Sequence, residues 1–176
     1  MELPTSKQSI DQDYAKLSRN ANQLYEFVML YHDYIYQARD YGNGDLIRMV
    51  EVHTLTMIED SPGITISELA ELWGRTKGTV SVNVTALEKK GYIYRQNEDN
   101  NAKVVHLYVT DKGASLSTIH KLYDNVDILQ TQAALFKTCT PKELDCFYKV
   151  LSSYLKMLLE EKSEAKANQK QHHKEN

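Results

Sequence analysis

The segment from Ile64 to Thr110, ITISELAELWGRTKGTVSVNVTALEKKGYIYRQNEDNNAKVVHLYVT, decides the fold. Thr65 and Glu68 stand at capping-box spacing, where a hydroxyl and a carboxylate three residues later each satisfy a free backbone N–H. Ile66, Leu69, Ala70, Leu72 and Trp73 then give the following helix one face to bury, and Gly74 ends it. Thr76 is a second hydroxyl N-cap, opening a helix that continues to Gly91. Two helices joined by so short a turn form a helix-turn-helix.

The second helix resolves into two faces. Val80, Val84 and Leu87 make one narrow apolar stripe, which is its buried side. Gly78, Val82, Thr85 and Lys89 lie opposite, flanked by Thr79 and Ser81, with Arg75 and Lys77 at the N-terminal end. A face that is small, hydroxyl-rich and cationic suits a helix lying in a major groove among phosphates and base edges. After Gly91, the β-branched and aromatic residues of 92–95 and 103–109 flank a polar segment, Gln96 to Ala102, expected to be a long loop. A hairpin placed directly after such a helix is a wing. Arg95 at its base and Lys103 near its tip are positioned to meet the sugar-phosphate backbone or a minor groove.

With these elements in place, the runs SELAELWGRTKGTVS, LEKKGYIYR and VHLYVTDKG resemble the MarR family of bacterial winged helix-turn-helix regulators. The resemblance covers roughly Leu46 to Leu116 by motif and the flanking helices by layout. It implies a homodimer on a pseudo-palindromic operator, with the second helix in the major groove and the wing in the minor groove. Carried over, Thr76, Lys77, Gly78, Thr79, Ser81 and Val82 fall at the reading positions. Asn101 and Lys103 fall where many members have an Asp-x-Arg wing motif, so the cation is kept while the ion pair and the planar fork are lost. Val82 stands where many members carry arginine, which removes the commonest bidentate contact to guanine.

The formal net charge is −3, but residues 75–103 hold six cations (Arg75, Lys77, Lys89, Lys90, Arg95, Lys103) against Glu88, Glu98 and Asp99. That segment is +3 and the remainder −6, a confined basic patch on an acidic body.

At 176 residues and 41% hydrophobic, the chain is expected to be mainly α with a small β-wing. Residues 1–13 read as a flexible N-terminus and 14–44 as an N-terminal dimerisation helix, in which Tyr14, Leu17, Ala21, Leu24, Val28, Tyr31, Ile35 and Ala38 form a heptad seam ending at Tyr41-Gly42-Asn43-Gly44. Residues 45–112 form the winged helix-turn-helix DNA-binding domain, opening with a helix from about Asp45 to Glu59. Residues 113–160 supply two C-terminal dimerisation helices: one with Ile119, Leu122, Val126, Leu129, Ala133 and Phe136, the next started by Thr140-Pro141-Lys142-Glu143. Residues 161–176 read as a disordered tail. Three seams on a small domain call for a second copy.

No apolar run is long enough to span a membrane and no leader pattern opens the chain, so the expected location is the cytoplasm. Cys139 and Cys146 have neither zinc-ribbon nor CxxC spacing. A phosphate-binding glycine loop, an HExxH and a nucleophile motif are absent from the sequence, which points away from an enzyme, and no cofactor or resident metal is expected.

The function expected is a DNA-binding transcriptional regulator, a repressor released by a small ligand. Tyr34 and His53 are the candidate contacts for an aromatic or acyl effector beside the dimer helices. Two alternatives stay open. One is a zinc-responsive regulator of the same fold, from His120 and Asp124 four apart on one helical face, which His53, with Glu51 two residues away, could approach across the fold. The other is a winged-helix protein-interaction module, from the missing wing and helix arginines.

Overall fold

The computed structural model describes residues 6–98 and 101–172, and for Leu17, 101–103 and 166–172 the backbone alone. In chain order the elements are α1 (Lys7–Tyr36), β1 (Ala38–Asp40), β2 (Leu46–Arg48), α2 (Met49–Asp60), α3 (Ile66–Leu72), α4 (Lys77–Lys89), β3 (Ile93–Glu98), β4 (Asn101–Val109), α5 (Asp111–Leu135) and α6 (Pro141–His172). Two compact units divide after Tyr123, so α5 begins in the first and continues into the second.

In the first unit α1 starts about two turns before the expected Tyr14, because Ser6 caps it by accepting from the Ser9 N–H at 3.2 Å. It also ends earlier. Residues 38–48 fold as an antiparallel hairpin, pairing Ala38 with Arg48 and Asp40 with Leu46. The Gly42-Asn43-Gly44 cluster is the hairpin's turn, with both glycines at positive φ. Asp40 Oδ1 accepts from the N–H groups of Gly42, Asn43 and Gly44 at 2.8, 3.0 and 3.0 Å. The helix expected from Asp45 therefore begins at Met49, where the Arg48 N–H donates to Glu51 Oε2 at 2.9 Å.

The capping box of α3 forms as read, with Thr65 N–H donating to Glu68 Oε2 at 2.9 Å and Glu68 N–H to Thr65 Oγ1 at 3.3 Å. Leu69 and Ala70 are buried and Ile66 and Trp73 pack against the core, but Leu72, expected on the same face, is 62% exposed, because at about 100° per residue it falls to one side of that stripe. The core is Val52, Leu55 and Ile58 of α2, Leu69, the Val80, Val84 and Leu87 stripe of α4, Tyr92, Ile93, Leu107 and Leu116.

β3 and β4 pair from Ile93↔Val109 through Asn97↔Val105, with a register shift before Glu98↔Asn101. Most of the segment expected as a loop is thus strand, since a ribbon in solvent is held by its backbone bonds and tolerates polar side chains. Gly63 N–H donates to Leu107 O at 2.9 Å and Leu107 N–H to Ile64 O at 3.1 Å, so residues 63–65 join the wing as a third, short rung. α5 starts on Thr110, whose Oγ1 accepts from Gly113 N–H at 3.1 Å and donates to Gly91 O at 2.8 Å. Gly113 lies so close to the Tyr92 backbone that a Cβ there would sit 2.0 Å from its carbonyl oxygen.

In the second unit, Thr140 N–H donates to Glu143 Oε2 at 2.7 Å and Glu143 N–H to Thr140 Oγ1 at 3.3 Å, the helix start read from the sequence. α6 runs on to His172, past the expected boundary at 160. Among the described residues no helix is long and apolar enough to cross a membrane.

Candidate nucleic-acid interface

α4 is seated on its apolar stripe: Val80, Val84 and Leu87 are fully buried. Thr76 Oγ1 caps it, accepting from Thr79 N–H at 3.1 Å. Its rotation about its own axis is set by Asn83, which is buried and donates from Nδ2 to Thr54 Oγ1 of α2 at 3.3 Å. Thr54 in turn donates to Val50 O at 2.7 Å. A buried amide must find a partner, so α4 cannot roll on α2 without losing this bond. Just past its C-terminal end, Lys90 Nζ donates to Leu46 O at 3.0 Å and lies 3.6 Å from Glu51 Oε2. Burial pushes the Glu51 carboxyl up, but hydrogen bonds from Arg48 and the charge of Lys90 hold it below the ordinary carboxylate range.

This seating turns the expected reading residues outward. Arg75, Thr76, Lys77, Gly78, Thr79 and Lys89 are exposed, Val82 is 62% exposed, and Ser81 and Thr85 are half-buried. Ser81, Val82, Thr85, Ala86 and Lys89 line one shallow depression. Arg95 is placed differently from the expectation of a free wing-base cation. Its Nε lies 3.3 Å from Glu88 Oε2 and its Nη2 donates to Thr85 Oγ1 at 3.2 Å, so it braces β3 against α4. The side chains of Asn101 and Lys103 lie outside the described residues.

A polar joint behind the wing went unread in the sequence. Tyr92, fully buried, donates from its hydroxyl to Asp45 Oδ2 and accepts from Asn43 Nδ2 at 2.8 Å. Burial first, then the hydrogen bond to Asp45 and that carboxylate's charge, push its hydroxyl pKa up. Lys112 donates to Asp45 Oδ2 at 2.9 Å and to Lys90 O at 3.0 Å. One cluster thereby ties the β1–β2 turn, the end of α4 and the start of α5.

The two candidate effector contacts are half-buried. The Arg39 guanidinium lies 3.7 Å from the centre of the Tyr34 ring and donates to the Tyr34 carbonyl at 2.9 Å. His53 meets the buried His120, with ring centroids 4.9 Å apart.

A helix held by its underside beside a short antecedent helix, with a hairpin braced against it, defines a winged helix-turn-helix protein. Residues 47–105 match the model of the MarR family. It is 32% identical over 84 residues to "Uncharacterized HTH-type transcriptional regulator YhjH" of Bacillus subtilis (strain 168), a match covering 48% of each protein. The chain thus spans about half the length of that curated relative. Among solved structures it is similar to the MepR–DNA complex of S. aureus (TM-score 0.62, 23% identity, 76% of this chain and 96% of that one). It is also similar to FabT of Streptococcus pneumoniae in complex with DNA (TM-score 0.59, 23% identity, 84% and 98%). These two likenesses establish the fold.

Proposed function

We propose that the chain is a transcriptional regulator that binds double-stranded DNA as a homodimer on an inverted repeat and represses until a small molecule releases it. The observation that carries DNA binding is the seating of α4: its apolar side is wholly buried, and the opposite side is exposed, cationic at both ends and free of bulk. The complexes of MepR and FabT with DNA support the same reading for a chain of this fold.

The dimer is supported by apolar surface that one copy leaves open. Val28 and Tyr31 on α1, Val126 and Leu129 on α5, and Leu155 and Leu158 on α6 are all exposed, at the heptad-like positions expected to meet a partner. Two-fold symmetry would set the recognition helices about 34 Å apart, one turn of duplex. Release by a ligand needs only that the ligand favour a different spacing, with Tyr34 and His53 as its contacts. Ligand-induced release that survives both Tyr34→Phe and His53→Ala would remove that assignment.

The test is a gel shift with the DNA upstream of the protein's own gene. Affinity falling steeply from low to physiological salt supports the proposal; flat or absent binding favours a protein-interaction module. A second reading, a divalent metal as effector, is favoured by the contact between His53 and His120. Metal content of untagged protein, and its loss in His120→Ala, decides between the two effector classes.

A further inference from the structure

We infer that α4 reads thymine methyl groups, with Val82 and the methyl of Thr85 as its specificity-determining contacts; this rests on the DNA-binding reading above. Between Lys77 and Lys89 the outer face is made of Gly78, Thr79, Ser81, Val82, Thr85 and Ala86, and the one long hydrogen-bonding side chain at its margin, Glu88, is engaged by Arg95 at 3.3 Å. Their hydroxyls are partly engaged already. Thr79 Oγ1 pairs with Thr76 Oγ1 at 2.8 Å, and Thr85 Oγ1 accepts from Arg95. Arg95, which is bonded to this face, is held by Glu88 and Thr85, so its planar fork is not presented to the N7 and O6 of a guanine. The large apolar side chain left open on this face is Val82, 62% exposed, in the same shallow depression as Thr85.

Among the four bases, thymine alone offers an apolar group at the major-groove edge. A valine set against guanine or cytosine would strip water from polar atoms and return no hydrogen bond, so the same residue selects for thymine and against its competitors. Residues 82 and 85 are separated by roughly 4.5 Å along the helix axis, comparable to the base-pair rise of about 3.4 Å, which suits two neighbouring thymines in each half-site.

The experiment uses the full chain. Duplexes are first selected from a random pool, and each thymine of the selected half-site is then replaced by deoxyuridine, which deletes only the 5-methyl group. Binding is read by fluorescence anisotropy. Each thymine that is read should lose about fourfold in affinity on replacement, the equivalent of one buried methyl. Val82→Ala, an exposed change to a good helix former, should bind the thymine and uracil duplexes equally at its position. Thr85→Ser, which keeps the hydroxyl for Arg95, should do so at the neighbouring one. A selected duplex that tolerates uracil at every position, or a Val82→Ala protein that still discriminates everywhere, overturns this inference alone. A pool from which nothing is enriched overturns the DNA reading and this inference with it.

Discussion

Gly113→Ala sets two effects of opposite sign against each other. In a helix alanine is favoured over glycine by about 1 kcal/mol, so propensity alone would stabilise α5. The added Cβ, however, would lie 2.0 Å from the carbonyl oxygen and 3.0 Å from the carbonyl carbon of Tyr92, and 3.3 Å from Leu55 Cδ1. Backbone cannot rotate aside as a side chain does. The Tyr92 carbonyl is also fixed by the Thr110 N–H at 3.0 Å. Overpacking at the upper end of its usual range costs about 3 kcal/mol, leaving a net loss of about 2 kcal/mol. For a chain of this size that lowers Tm by roughly 4–8 °C. Trp73 is the only tryptophan and packs against the core, so its fluorescence during urea or thermal unfolding reports the change. A midpoint equal to or above that of the parent protein would refute the reasoning and show that α5 leaves Tyr92 without cost.

Arg75, Lys77 and Lys89 are the exposed cations beside and on α4, six in a dimer, so the logarithm of affinity should fall with the logarithm of salt at a slope of about −5, or roughly a thousandfold between 50 and 200 mM. Lys77→Ala should make that slope shallower by about 2, measured by anisotropy, whereas Arg95→Ala should change it less because Glu88 already neutralises that guanidinium. Glu51→Gln should lower stability at pH 7 by about 2 kcal/mol, since Arg48 and Lys90 lose a buried partner while keeping partial solvent contact. Because the folded-state carboxyl titrates below its ordinary range, its stabilisation is present at neutral pH and lost as pH falls through that lowered value. Urea midpoints from pH 7 to pH 3 should therefore fall less steeply in Glu51→Gln than in the parent.

What the sequence made legible was local or periodic. The caps at Thr65, Thr76 and Thr140 depend on residues three apart, and the stripe of Val80, Val84 and Leu87 on one helical period, so both survive folding unchanged. The β1–β2 hairpin was missed because strands of three residues carry no alternation, and its Gly-Asn-Gly turn looks the same as a helix stop. Leu72 shows the limit of reading burial from residue type, since it lies to one side of the stripe that Ile66, Leu69, Ala70 and Trp73 turn to the core. The buried roles of Asn83 and Glu51, the latter read only as a neighbour of His53, were not legible for the converse reason: each is polar and buried, and only the fold brings Thr54 to one and Lys90 to the other. Arg95 was rightly placed at the wing base, but its partner Glu88 lies across the turn at Gly91, a contact that spacing does not announce.

The most direct test of α4 as the DNA-facing surface is lysine acetylation followed by mass spectrometry, with and without an excess of selected duplex. Lys77 and Lys89 should lose most of their reactivity when duplex is added, while Lys149 and Lys156, exposed on α6, keep theirs. Protection of the α6 lysines with Lys77 and Lys89 left reactive would contradict it.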